Sequence, residues 1–150
     1  MTPKASHGLP FADGRFAGVG MSLFLSYMDE PEDVLFEAWR VLRPGGRLVV
    51  SSLVPDYDMS KLYVAIVERF ESLPESELPP GVGREVLLSS ARRFVDHAAE
   101  LFRLAEEGHF RLYDTQSLLA LVRCRGFVDA SAELVFGDPP QAVIVTCTKP

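Results

Sequence analysis

Few side chains in this 150-residue sequence are of the kinds that do covalent or acid–base work. Its three histidines, His7, His97 and His109, carry groups whose charge changes near neutral pH. Of these His109, in a loop, is the candidate general base, and an ordinary exposed loop histidine is the plainer reading of it. Cys124 and Cys147 fall in an apparent helix and an apparent strand, with neither the spacing of metal ligands nor a disulfide framework. Tyr27, Tyr57 and Tyr113 offer hydroxyls, a type of residue more often used for amphipathic packing than for catalysis. Arg92 and Arg93 form the densest basic pair, but Glu85, Asp96 and Glu100 surround them, so they read as a solvated helix face rather than a phosphate site. No metal-ligand set emerges.

The elements that must carry these residues follow from periodicity and punctuation. Residues 16–27 are a nearly continuous apolar run, which predicts a strand buried on both faces. Asp29, Glu30, Pro31 and Glu32 then open a helix: the acids favour its positive end and proline suits its first turn. Val34, Leu35, Ala38, Val41 and Leu42 give it one apolar stripe, and Pro44, Gly45 and Gly46 stop it. Residues 47–54 predict a second buried strand. Strand, helix and strand with such short connections make a βαβ unit with parallel strands.

Beyond Pro55, Ser60 is the candidate cap of a helix over 60–73, with Leu62, Tyr63, Ile66, Val67 and Phe70 inward. Residues 74–83 are a Pro/Gly-rich loop. A long helix follows over 84–107, with a seam of Leu87, Ala91, Phe94, Ala98, Leu101 and Ala105 widened by Leu88, Val95 and Phe102. That seam is expected to pack on the sheet or on the preceding helix. Asp114 or Thr115 starts a further helix, ended by Gly126. Residues 127–136 and 142–148 predict an antiparallel hairpin.

The composition bounds the partners. Hydrophobic residues are 47% and charged residues 24%, ordinary for one soluble globular domain. A formal net charge of −6 and the lack of a basic run disfavour nucleic acid. No apolar stretch reaches the roughly 18–20 residues that span a bilayer, and the first residues carry no apolar signal core, so the expectation is a cytoplasmic chain.

Two motifs carry a resemblance. Residues 8–16 read GLPFADGRF, residues 41–50 read VLRPGGRLVV, and a later helix runs into Gly126 and Phe127. In that order, with the expected elements between them, they resemble a class I S-adenosylmethionine-dependent methyltransferase of the type 11-like group, from its third strand's exit onward. The resemblance implies an α/β fold: a partial Rossmann-like sheet of parallel strands plus a C-terminal antiparallel hairpin, with helices on its faces. It makes residues 1–150 one domain, with 55–113 a helical insertion on the substrate side.

On the same ground S-adenosylmethionine is the implied cofactor. Leu9 and Phe11 would border its adenine, and Met21 and Ser22 its sulfonium. Leu23, Tyr27, Tyr57, Tyr63, His109 and Tyr113 would face the methyl acceptor, with His109 the weak candidate for a base. The glycine-rich loop and the ribose-binding acid of the family have no counterpart in these residues. The acid usual four positions before LPF is Ala5, the aspartate usual after Phe16 is Ala17, and two positions often histidine in relatives are Ser26 and Tyr27. About 80–100 residues of the family domain, at ~30 per βαβ unit, would precede this stretch.

Three expectations follow. The first is small-molecule methyl transfer by a chain completed by an N-terminal half or a partner. The second is a non-catalytic, degenerate module acting in dimerisation or partner binding. The third, an unrelated α/β domain sharing only this punctuation, is the least favoured. An apolar strand over 16–27 without its neighbour is an aggregation hazard, which predicts a homodimer or a complementing subunit along that strand.

Overall fold

A computed structural model describes residues 8–150. Ala5 and His7 lie outside the described residues, as do the side chains of Leu62, Val95, Ala98, Leu101 and Phe102, all expected inward. The elements in chain order are β1 (Phe16–Ser22), α1 (Pro31–Val41), β2 (Leu42–Leu53), α2 (Met59–Ser72), α3 (Arg84–Glu106), α4 (Thr115–Cys124), β3 (Val128–Val135) and β4 (Ala142–Thr148), with short 3-10 turns at Phe24–Tyr27 and Glu75–Glu77.

The four strands form one sheet in the order β1-β2-β4-β3. β1 and β2 are parallel, while β4 inserts between β2 and β3 and runs antiparallel to both. The fold class is therefore the expected one: an α/β sheet with a parallel pair, a terminal antiparallel hairpin and helices around it.

The pleat decides what is buried. Leu48 and Val50 of β2 sit beside Cys147 and Val145 of β4, and all four are buried in one core with Leu35 and Ala38 of α1 and Leu118 and Val122 of α4. The intervening residues face the other way. Val49 is 40% exposed, Gly20 is exposed, and Ser51, Ile144 and Thr146 are half-buried. The second strand is thus buried on one face, not two, because α1 and α4 both contribute to the same core layer.

The first strand also departs from expectation. It ends at Ser22, because Leu23 adopts φ 53° and the chain tightens into the 3-10 turn that buries Leu25 and Ser26. Its residues are half-buried or exposed throughout. Among the described residues β1 pairs only with β2, so its far edge is open.

Local chemistry accounts for the helices. Pro31 begins α1, Glu32 and Asp33 lie in its first turn and Arg40 in its last, matching the helix dipole. Gly46 is required early in β2, since a Cβ there would lie 2.8 Å from the Arg43 carbonyl oxygen. The cap of α2 is Asp58 rather than Ser60: Asp58 Oδ1 accepts the backbone N–H of Ser60 (3.1 Å) and the Ser60 hydroxyl (2.5 Å). Asp114 caps α4 through the Ser117 N–H at 2.7 Å. α3 packs along α2, as its seam required, although Phe94 remains 38% exposed.

Candidate functional site

In open α/β sheets ligands bind beyond the C-terminal ends of the parallel strands. Here that region is built by the exit of β1, the 3-10 turn after it, the end of β2 and the segment 109–113. Leu23 N–H donates to the Ser51 carbonyl (3.1 Å), carrying the pairing one residue past β1. Beside it the Ser51 hydroxyl donates to the Ser22 hydroxyl at 3.4 Å, leaving two hydroxyls at the strand ends. Met21 and Leu23 are half-buried next to them.

An aromatic pair is fastened at this end of the sheet, on the face of Ser52 rather than that of Ser51. Tyr27, 39% exposed, meets the buried Phe110 edge-on, with ring centroids 4.8 Å apart. Two serines fasten the pair. Arg111 N–H donates to the Ser26 carbonyl (2.8 Å), and Tyr113 N–H donates to the Ser52 hydroxyl (3.2 Å), which itself donates to the Leu53 carbonyl (2.9 Å). The hydroxyls of Ser26 and Ser52 lie 3.5 Å apart, and both residues are buried. Burial pushes the Tyr113 phenol above its ordinary value, with the Arg111 side chain drawing it back. Burial likewise raises Tyr57, which sits in the core at 3% exposure.

The expected site residues therefore divide. Met21, Ser22 and Leu23 cluster at the strand ends, with Tyr27 and Tyr113 in the elements fastened there. Tyr57 is a core residue. Tyr63 lies apart, lining a crevice of about 500 Å³ between α2 and α3 with Val67, Leu88 and Arg92. His109 is exposed in the turn after α3, its N–H bound to the Leu104 carbonyl (2.7 Å). Leu9 and Phe11 lie at the opposite end of β1 from Ser22: Phe11 packs edge-on to Phe16 with centroids 4.9 Å apart. Phe16 and Ser22 are separated by about 20 Å of extended chain. The structure does not bring the two pairs of expected cofactor residues together.

Some residues that shape the site gave no signal as sequence. Ser52 reads as filler in an apolar run, and its use depends on a segment 61 residues away in the chain, while Ser26, a position singled out only as one often histidine in relatives, accepts the Arg111 N–H on its carbonyl. Gln141 is buried at 2% exposure: its carbonyl accepts the Val54 N–H (3.1 Å) and its side-chain oxygen accepts the Asp58 N–H, joining the end of β2 to the start of β4. Glu37 and Arg40 carry no site signal in a helix whose pattern shows only an apolar stripe and a basic last turn.

Comparison with known proteins agrees with this architecture. A family model described as a methyltransferase domain matches residues 3–50. The ubiquinone/menaquinone biosynthesis C-methyltransferase of Roseobacter denitrificans is 34% identical over 105 residues, covering 67% of this chain and 41% of that protein. The corresponding protein of Dinoroseobacter shibae is 31% identical over 121 residues, covering 79% and 42%. The chain thus spans about two fifths of the length of these curated relatives. Among solved structures, an S-adenosylmethionine-dependent methyltransferase of Thermotoga maritima superposes with a TM-score of 0.57 at 20% identity, over 95% of this chain and 60% of that one, a likeness of fold. With LPF, LRPGG and GF in order along this sheet, the chain belongs to the class I S-adenosylmethionine-dependent methyltransferase family.

Proposed function

We propose that this chain supplies the acceptor side of a cleft for S-adenosylmethionine-dependent methyl transfer to a small organic molecule, in an assembly that completes the sheet beyond β1. The observation that carries the reading is the strand-end cluster. Two hydroxyls (Ser22, Ser51) lie at the strand ends with Met21 and Leu23 beside them in the chain, and an aromatic pair, Tyr27 and Phe110, is held by backbone hydrogen bonds at the same end of the sheet. The cofactor, when bound, supplies an electrophilic methyl group. The described residues fit its methionine end and the acceptor. They offer neither a glycine-rich loop nor a strand-end carboxylate for the ribose, so those must come from outside this set.

What the chain's own residues contribute is alignment. Tyr27, backed edge-on by the buried Phe110, gives a planar acceptor an apolar face with a polar tip, and the serine latches keep that pair from shifting. Among the described residues the side chains at the strand ends are hydroxyls and apolar groups, and His109, the candidate base, is exposed at the start of the 109–113 segment. An acceptor whose nucleophilic atom is already electron-rich suits such a site. Aromatic carbon acceptors are the first class to screen, given the C-methyltransferases among the relatives.

The open edge of β1 favours the second reading, a module that binds a partner without catalysing methyl transfer. Calorimetric titration of S-adenosylmethionine and then S-adenosylhomocysteine into the chain separates the two. Micromolar binding supports the catalytic reading. A folded sample that takes up neither ligand refutes cofactor binding by this chain alone and leaves the partner-binding reading.

A further inference from the structure

Helices α2 and α3 form an antiparallel hairpin. Arg84, at the start of α3, donates to the carbonyls of Phe70, Glu71 and Leu73 at the end of α2 and so fastens the turn between them. Along the hairpin a crevice of about 500 Å³ lies between the two helices. That volume falls within the roughly 300–1,000 Å³ of small-molecule sites. The strand-end residues Met21, Ser22, Leu23 and Ser51 do not line it, so it is a separate candidate site.

Helix geometry sets the lining. Tyr63, Val67 and Glu71 recur every four residues on one face of α2, and Leu88, Arg92 and Asp96 do the same on α3. Tyr63, Val67 and Leu88 are half-buried and give an apolar surface with one phenol, while the charged residues are exposed at its rim. At about 1.5 Å rise per residue, Tyr63 and Glu71 are about 12 Å apart along α2, as are Leu88 and Asp96 along α3. Because the helices are antiparallel, Glu71 and Asp96 fall at opposite ends of the crevice, with Arg92 and its neighbour Arg93 between them.

These two guanidiniums differ from others in the chain. Arg40, Arg84 and Arg103 are each held by a carboxylate. Among the described residues neither Arg92 nor Arg93 is in an ion pair. Glu100, two turns along α3 from Arg93, is taken instead by Arg103 at 2.5 Å. Two adjacent cations thus line one crevice beside a half-buried apolar surface. Exposed charge alone contributes little, so an occupant must cover that surface as well as meet the charge.

We propose that this crevice takes a compact apolar monocarboxylate, its carboxylate between Arg92 and Arg93 and its ring or short chain over Val67, Leu88 and Tyr63. Arginine suits a carboxylate because its planar fork donates two parallel hydrogen bonds. Glu71 and Asp96 limit both charge and length: a second anionic group reaching either end of the crevice meets a like charge there.

The test is a titration of the isotope-labelled chain with naphthoate, followed by amide chemical shifts. Saturable shifts are expected at Val67, Leu88 and Arg92, with a Kd of about 1 mM or tighter for a ligand of this size. Two comparison ligands keep the ring and change the charge. Neutral naphthalenemethanol and the dianion naphthalenedicarboxylate should each bind about fivefold more weakly, or worse. Replacing both guanidiniums (Arg92→Gln with Arg93→Gln) should weaken naphthoate by about tenfold. Arg103→Gln, which alters a guanidinium already held by Glu100 and Glu107, should leave binding unchanged. Equal affinity for either comparison ligand, or full naphthoate binding by the double variant, overturns the proposal. So do shifts that never saturate, or that centre on Met21–Leu23. Because the crevice is separate from the strand ends, these outcomes do not depend on whether the chain takes up S-adenosylmethionine.

Discussion

The end of the chain is tied to α1 by one side chain, and Lys149→Met measures that tie. Lys149 is 8% exposed, and its ammonium donates to the carbonyls of Trp39 (2.8 Å) and Leu42 (2.7 Å) at the C-terminus of α1 while lying over the Trp39 ring. Methionine keeps most of the stem's volume and removes the charge. Hydrogen bonds from a charged donor are worth about 1.5–3 kcal/mol net each. A cation at a helix C-terminus adds about 0.3–1 kcal/mol, and a desolvated cation–π contact up to about 2 kcal/mol.

Against these stands the cost of burying the ammonium, several kcal/mol, which methionine does not incur. The net expectation is a loss of about 2–4 kcal/mol, or roughly 5–15 °C in Tm at about 2–4 °C per kcal/mol for a chain of this size. Urea melts followed by circular dichroism should show a lower midpoint at unchanged slope. The backbone pairing of Lys149 with Gly45 and Gly46 does not depend on the side chain, so the fold should persist. A loss below about 1 kcal/mol would refute the reasoning, since it would mean that burial of the ammonium cancels its bonds.

Other perturbations probe other links. Ser52→Ala removes the acceptor of the Tyr113 N–H inside a buried cluster, and should cost about 1–3 kcal/mol and speed amide exchange at Tyr113; unchanged exchange would mean the latch is idle. Cys124 is exposed, whereas burial pushes the Cys147 thiol up to about 11, so a thiol-specific disulfide reagent at pH 8 should label one cysteine in the native protein and two in denaturant. The Asp114 carboxyl is held below its usual value, first by the Ser117 N–H, then by the Ser117 hydroxyl. Its contribution is therefore present above the ordinary carboxylate range and fades as pH falls below about 4, so the stability gap between wild type and Asp114→Ala should hold at pH 5 and narrow progressively below about pH 4. A gap constant over that range would show that the cap is not charge-dependent.

How much of this was legible in the residues follows from where the determining contacts lie. The parallel pair, the helix between and the final hairpin rest on local signals: Pro31 and the acids at the start of α1, the glycines early in β2, and the turn before Ala142. Those signals act within a few residues, and the structure has each element where they pointed. Burial is a different matter. A run such as Val19, Met21, Leu23 or Leu48, Val49, Val50 has the same composition whether a strand is covered on one face or two, and only the arrangement of α1 and α4 decides it. The strand reading was too long at Leu23 because a left-handed leucine has no sequence signature.

The site shows the same division. Family motifs named the segment around Leu9 and Phe11, but motif order says nothing of which end of a strand a loop reaches. The hydrogen bonds of Arg40 settle that for this chain, placing the loop along α1 at the head of β1. The charged residues of a helix that reads as a plain amphipathic stripe thus determine where two apolar residues stand. The two ends of β1 therefore stand in different surroundings: its C-terminal end carries hydroxyls and its head carries the packed Phe11–Phe16 pair. Substitutions at the two ends should therefore separate in their effects, with Ser52→Ala speeding amide exchange at Tyr113 but not at Leu9, and Arg40→Ala the reverse. If either change moved both, β1 and its flanks would have to act as one unit.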